Sequence, residues 1–456
     1  MLRLTNIVLC LLLATSIAYA NDNLLHSTRS YDQKQVSMST NMNSCIAVWN
    51  SYNQDASSGG IFGTILNLSQ AEARKEIQLN QESQGNQTQP DVAVSVDGSF
   101  AVCWRGPWKE LDNENILFRL FDCNGMPLTG DILVNTITDG IQRLPQIAAL
   151  PSAGYVISWE SHTYPNRNKK AVCLRIFDPN GLAVYDEVLA TDQSYAARHA
   201  DVSAKGPDQF ILTWLNDRTN DSVWARTFDL NGGPLSDSFQ VNETSFKTLT
   251  FPKVSTNDSG EFVVVWDGDP NSGAKDDIHV RFFDANSVAL CPDYQLNVST
   301  LGAQQNPVVA LTTPLCALVA WESNHLASEQ GWEVMTRFID VNGLVCGPEE
   351  CMINNRIGDQ RTPSLVMTSN GIFVLAWESS QPEINNTDIH YCSGRCPSSS
   401  DINADSRIDF QDFSWLAQLR QSGSPDTPDV SFPYWADLTL FCDEWLTRSV
   451  ATSTPK

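Results

Sequence analysis

The sequence predicts an all-β, seven-bladed β-propeller of four-stranded blades, each of about 55 residues, followed by a small α-helical calcium-binding module. Three observations carry the prediction. A tryptophan-centred apolar motif recurs seven times, each recurrence contains four strand-like stretches, and the composition changes after Cys396.

Residues 1–20 come first and read as an export signal. Arg3 gives a positive start, Ile7 to Leu13 is apolar, and Ala18-Tyr19-Ala20 has the small-x-small pattern that precedes cleavage. The apolar run is short for a membrane span, and no later stretch approaches the roughly 18 apolar residues a span needs. The expectation is a secreted, extracellular protein, free or held at the cell surface, of about 435 residues once the signal is removed. The full chain has a net charge of −24, and losing Arg3 with the signal takes the remainder to about −25. That argues against nucleic acid as a partner, because affinity for phosphate backbones comes mainly from Lys and Arg. An acidic surface for solubility or acidic calcium-holding loops suit it better.

Eleven cysteines remain after Cys10 is removed with the signal. Cys45, Cys103 and Cys316 fall inside apolar strand-like runs, where a buried free thiol is expected. Cys346/Cys351 and Cys392/Cys396 are candidate local bridges. No cysteine or histidine cluster has zinc spacing, and an odd total leaves at least one thiol over.

The repeat occupies residues 21–395. The form apolar-apolar-x-Trp occurs at Trp49, Trp104, Trp159, Trp214, Trp266, Trp321 and Trp377, separated by 55, 55, 55, 52, 55 and 56 residues. Before each Trp stands an alternating stretch such as Pro90 to Ser95, then a turn such as Asp97-Gly98. After it come a polar loop and a strand with Arg that ends in Phe-Asp-x-Asn-Gly, as in Arg119 to Gly125, Arg175 to Gly181 and Arg226 to Gly232. A fourth extended stretch follows, such as Asp131 to Val134. Four short antiparallel strands cannot bury both faces of their sheet, and seven such sheets packed radially can. The Trp residues and Phe-Asp pairs are therefore assigned to blade architecture. The seventh unit stops after its third strand, at Asp388 to Cys392, and Asn23 to Thr28 occupy the position of a fourth strand before the first unit. Donating that segment to the last blade closes a ring and removes two open edges.

Named propeller families do not fit. The period exceeds that of a WD repeat, the turn Ser95-Val96-Asp97-Gly98 lacks the sialidase spacing, and no ladder of calcium ligands recurs from blade to blade. The units resemble tandem repeats of large secreted bacterial proteins, a resemblance that implies architecture and not chemistry.

After a linker at 396–400, residues 401–448 form the C-terminal module, and 449–456 a tail. Asp401, Asn403, Asp405, Asp409 and Asp412 stand at loop positions one, three, five, nine and twelve, and Arg407 offers its carbonyl at position seven. Alternating loop oxygens suit a hard calcium ion. Ile408 is an apolar anchor, and Phe413, Leu416 and Ala417 make the inner face of a following helix. This segment resembles the first repeat of a type I dockerin. The resemblance implies one bound calcium and a cohesin-like partner protein within an extracellular polysaccharide-degrading system. The second loop is degenerate, since Pro428, Val430 and Tyr434 replace ligands, and Ser406 stands where the family has glycine.

For function, the leading expectation is a non-catalytic binding or scaffold protein whose propeller face recognises a glycan or protein. The alternative is a polysaccharide-active hydrolase or lyase, which needs unlike residues on one face, such as carboxylates with separated pKa values. No residue is assigned a catalytic role. Glu160, Glu322 and Glu378 recur after their Trp residues, and recurrence points to a structural bond to the neighbouring blade. His162 and His325 make a weak metal pair, and Trp108 and Trp332 are candidate stacking surfaces for sugar rings.

Overall fold

The computed structural model describes residues 22–395, apart from single positions and short stretches, the longest being 163–169, 270–275, 326–330, 341–348 and 381–385. The expected export signal, the expected linker and the expected calcium ligands Asp401, Asn403, Asp405, Arg407, Asp409 and Asp412 lie outside the described residues. The chain divides into two compact units, of which Ala20–Ser393 is the propeller.

Seven antiparallel sheets follow one another along the propeller. Their innermost strands are Gln33–Thr40, Thr88–Val94, Gln142–Leu150, Ala196–Ala204, Thr248–Thr256, Gln304–Thr312 and Asp359–Met367, in blades 1 to 7. Each pairs with a second strand that carries the repeat Trp, for example Trp159 within Gly154–Ser161. All seven of these Trp side chains are buried. The apolar clusters confirm why the sheets need one another. Val48 and Ile61 of blade 1 pack with Val102 and Trp104 of blade 2, and Val263 of blade 5 with Val319 and Trp321 of blade 6. The core therefore lies between blades, where each sheet face is covered by its neighbour.

The ring closes as expected, with Asn23 opposite Tyr391 and Leu24 opposite His390. The donated strand reproduces the bonding of an ordinary fourth strand. In blades 1, 2, 4 and 5 an Asn there accepts the N–H that begins the third strand, as Asn135 does from Ile116 at 2.8 Å. In blade 7 the equivalent residue is His26, whose Nε2 accepts the Ile389 N–H at 3.1 Å while Nδ1 reaches the Thr28 carbonyl at 2.7 Å. Nδ1 must donate there, so the ring carries its proton on Nδ1 and is neutral. In blade 6 the pairing of the fourth stretch shows, among the described residues, as one bridge between Thr336 and Glu350.

Two further sequence signals find their reasons here. In the Phe-Asp-x-Asn-Gly turn, Asp122 accepts the N–H groups of Asn124 and Met126, and Gly125 supplies the left-handed φ of 83° that closes the turn. The Arg of the same motif reaches into the preceding blade. Arg119 donates to the carbonyls of Thr129 in its own blade and Leu79 in blade 1, and Arg175 does the same for Tyr185 and Val134. Much of the acidity is also structural. Glu76, Asp131, Glu187, Asp293 and Glu349 each accept a backbone N–H from the blade before.

The cysteines correct part of the sequence reading. Cys45 and Cys103 are buried free thiols, but Cys316 is disulfide-bonded. Neither Cys351 nor Cys392 is in a disulfide, so neither expected local bridge is formed. Sequence proximity brought those pairs to notice, and strand direction decides whether two Cβ atoms face each other.

Candidate functional site at the entry face

The inner strands all begin at one face of the ring, where the second strands end; this is called the entry face below. Each inner strand there contains a bulge at a residue with positive φ: Gln35, Gln89, Leu144, His199, Phe251, Asn306 and Thr362, with φ between 43° and 58°. The bulge turns the backbone N–H of that residue away from its own ladder and leaves it needing an acceptor.

The residue after each repeat Trp supplies that acceptor at three junctions. Glu378 of blade 7 accepts the Gln35 N–H at 2.6 Å, Glu322 of blade 6 that of Thr362 at 2.7 Å, and Glu160 of blade 3 that of His199 at 3.4 Å. The recurring glutamates are thus inter-blade clamps. Where Asn50 and Arg105 replace Glu, the bulge side chain takes over: Gln35 accepts the Gln89 N–H and Gln89 that of Leu144. At the last two junctions Leu215 and Asp267 follow the Trp, and no such inter-blade acceptor is present among the described residues. The ring therefore loses its symmetry at blades 4 to 6.

Asp267 occupies the clamp position of blade 5 with a side chain one methylene shorter than Glu. Its Oδ2 accepts the Thr250 hydroxyl at 2.5 Å, whereas Oδ1 is buried with no hydrogen-bond partner. Burial pushes this carboxyl up to about 8, the nearby negative charges of Asp276 and Glu322 adding to the rise. Asp267 is therefore protonated at neutral pH. Asp276, which immediately precedes the next strand, Asp277–Phe283, accepts Gln305 Nε2 of blade 6 at 3.0 Å.

Beside this pair lies an aromatic surface. The His199 ring stacks on Phe251 with centroids 4.6 Å apart and planes within 1°, and Phe251 remains 39% exposed. Burial holds His199 down at about 4, against the pull of Glu160, so its ring is uncharged at neutral pH. Glu160 is more heavily charged around than the other clamps. Arg143 lies 2.7 Å and His162 2.7 Å from its Oε1, with Lys170 at 3.8 Å.

Below the bulges the channel narrows to a ring formed by the residue two places after each: Ser37, Asp91, Gln146, Asp201, Lys253, Val308 and Ser364. Lys253 bonds Asp201 at 2.9 Å and also Gln146 Oε1. Asp91 accepts the Ser37 hydroxyl at 2.5 Å and the Ile147 N–H at 2.8 Å. Burial raises its carboxyl, and Lys253 counters that rise.

Neither candidate stacking residue is freely exposed. Trp108 is half-buried with Lys109 4.7 Å above it, and Trp332 is covered by Arg361 at 4.3 Å. His162 and His325 lie on blades 3 and 6, each bonded locally to Glu160 and Ser323. Sequence reading missed Asp267, Phe251 and the channel ring. Aligning the seven units by their bulge residue places each of them in a column of unlike residues, which is the signal that marks them.

The sequence matches no family model and no curated protein. Solved structures share the fold. A protein of unknown function from Dyadobacter fermentans matches with a TM-score of 0.50 and 9% identity over 83% of this chain and 98% of that one. An α-L-arabinanase from Penicillium chrysogenum, solved with arabinobiose, gives 0.47 and 11% over 82% and 98%. The polysaccharide lyase Uly1 gives 0.49 and 8% over 79% and 89%. At these identities the likeness is one of fold.

Proposed function

We propose that the propeller is a polysaccharide-active hydrolase or lyase whose site is the asymmetric sector of the entry face, at blades 4 to 6. The observation that carries this reading is Asp267, a buried carboxyl at the clamp position whose Oδ1 has no hydrogen-bond partner, and burial favours its protonated form. A protonated carboxyl can donate to the leaving oxygen of a glycosidic bond, and Asp276 is a second carboxyl close to it. Phe251, stacked on a neutral His199, offers an apolar plane for a sugar ring. The test is a hydrolysis and lyase screen across plant, algal and bacterial polysaccharides, with wild-type protein and Asp267→Asn. Turnover abolished by the substitution supports the reading; turnover unaffected by it refutes the assignment.

A second reading has its own observation. Asp267 is 1% exposed, so a sugar reaches its carboxyl only if the entry face opens. Without such opening the same sector is a glycan-recognition surface built on Phe251, and the screen returns retention of a polymer without cleavage.

We further propose that the chain is secreted, and that Asp401, Asn403, Asp405, Arg407 (through its carbonyl), Asp409 and Asp412 bind one calcium ion in a dockerin-like module that docks to a cohesin-like partner. The ligand spacing supports this reading. Calcium titration of the full chain against its Asp401→Ala variant tests it, and equal heats from the two overturn it.

A further inference from the structure

We propose that the entry face selects a negatively charged sugar, with Lys170, Arg143 and His162 holding the anion and the Phe251–His199 pair stacking on the adjoining ring. This rests on the reading above and names the substrate class of the same face: an acidic polysaccharide, bearing uronate carboxylates or sulfate esters.

The three clamp glutamates serve as one another's controls. The clamp's structural task is to accept one N–H from the next blade, and three glutamates perform it. Glu322 does so with one ion-paired cation, Arg361 at 2.9 Å. Glu378 does so with no ion pair among the described residues. Glu160 gathers two permanent cations and a histidine on the same oxygen, Oε1. Among the described residues one carboxylate meets that set, so the cluster there keeps a positive excess in a chain whose net charge is −24. The clamp does not require the excess, and solubility is already served by the acidic surface.

The cations are also reachable. The Lys170 side chain is 38% exposed, Arg143 30% and His162 24%, whereas the Glu160 carboxylate beneath them is fully buried. Glu160 thus orients the cations from below and leaves their outer donors free to meet an anion. Arg105 adds to the same field. It is paired with Glu114 and lies close enough to Arg143 for the two charges to repel. Further round the ring, Arg198 is neutralised by Asp221 at 2.9 Å, so the excess stays centred on Lys170 and Arg143.

The aromatic plane adjoins this field. His199 donates its N–H to Glu160 and feels the charges of Arg198, Arg143 and Lys170, while its ring carries Phe251. A sugar stacked on Phe251 therefore places its neighbour in the positive field, which suits polymers with an anionic group on alternate or successive residues. A neutral polymer meets the plane but pays desolvation of the cations with nothing in return.

Binding, not turnover, tests this, so its outcome is separable from that of the catalytic assignment. The full-length protein is titrated with polygalacturonate, with dextran sulfate and with neutral arabinan and xylan, at low and moderate salt. The expected result is binding to an anionic polymer that weakens with salt. Lys170→Met and Phe251→Ala should each weaken it about tenfold. Preference among the two anionic polymers identifies carboxylate or sulfate as the recognised group. Equal or tighter binding of the neutral polymers overturns the proposal. So does anionic binding that is indifferent to Phe251→Ala, since that marks attraction to charge alone. Cleavage of a neutral polymer with no binding of the acidic ones sinks this inference and leaves the catalytic reading standing; anionic binding without cleavage does the reverse.

Discussion

Asp267→Asn separates the cost of a buried carboxyl from everything else in the propeller. In the unfolded chain this group titrates near 3.8, and in the folded one near 8. The folded state therefore binds more protons than the unfolded state between those values, and stability falls as pH rises through the interval. At pH 6 the folded protein must hold a proton that the unfolded chain has lost, at a cost of about 3 kcal/mol. By pH 9 the carboxylate must be buried ionised, and the cost approaches about 6 kcal/mol. Asparagine carries no such charge; it keeps an oxygen for the Thr250 hydroxyl and leaves its amide without a partner, a fixed cost of about 1 kcal/mol. Urea denaturation of both proteins at pH 6 and pH 9 should thus show the variant gaining on wild type by about 3 kcal/mol across the range. Asp267→Glu provides the complementary arm. The added methylene lets the carboxylate reach the Asn306 N–H, as Glu322 reaches Thr362, and the pH dependence should shrink. Parallel stability profiles for wild type and Asp267→Asn would refute the account of this site.

Substitutions at three other residues probe the ring. Arg281 is nearly buried and donates to the carbonyls of Cys291 and Val241 and to Glu243, so Arg281→Ala should cost about 2–4 kcal/mol in chemical denaturation. Lys253→Met leaves Asp201 and Asp91 facing each other in the channel without their cation; the loss should be about 2–3 kcal/mol at pH 7, kept below a fully buried pair by the 31% exposure of the lysine side chain, and smaller at pH 4. His26→Asn restores the residue that other blades use to cap the third strand and should be tolerated, whereas His26→Leu orphans the Ile389 N–H and should lower stability by about 2 kcal/mol, read by thermal unfolding.

The repeat was legible because blade packing imposes it locally. Each Trp fills the gap to a neighbouring sheet, each Asp122-type turn is built within five residues, and every copy repeats the same demand. The donated strand was legible for the same reason, since a unit missing its fourth strand at one end and a spare strand at the other have one antiparallel solution. The clamp role of Glu160, Glu322 and Glu378 also followed from recurrence. The exceptions were harder to read. Asp267 differs from Glu by one methylene, and its significance depends on the distance to an N–H in another blade. Cys316 looked like a core thiol, and it is disulfide-bonded, which a single apolar run does not reveal.

By itself the sequence determined the architecture: seven sheets, their order, the strand that closes them, and the residues that staple one blade to the next. These follow from periodic burial and from turn and capping chemistry, which act over a few residues. Only the tertiary structure decided where the ring departs from its own symmetry. Bulge N–H groups, their acceptors and the protonation of Asp267 arise between blades, where one side chain's length and its exclusion from water set both the bonding and the charge.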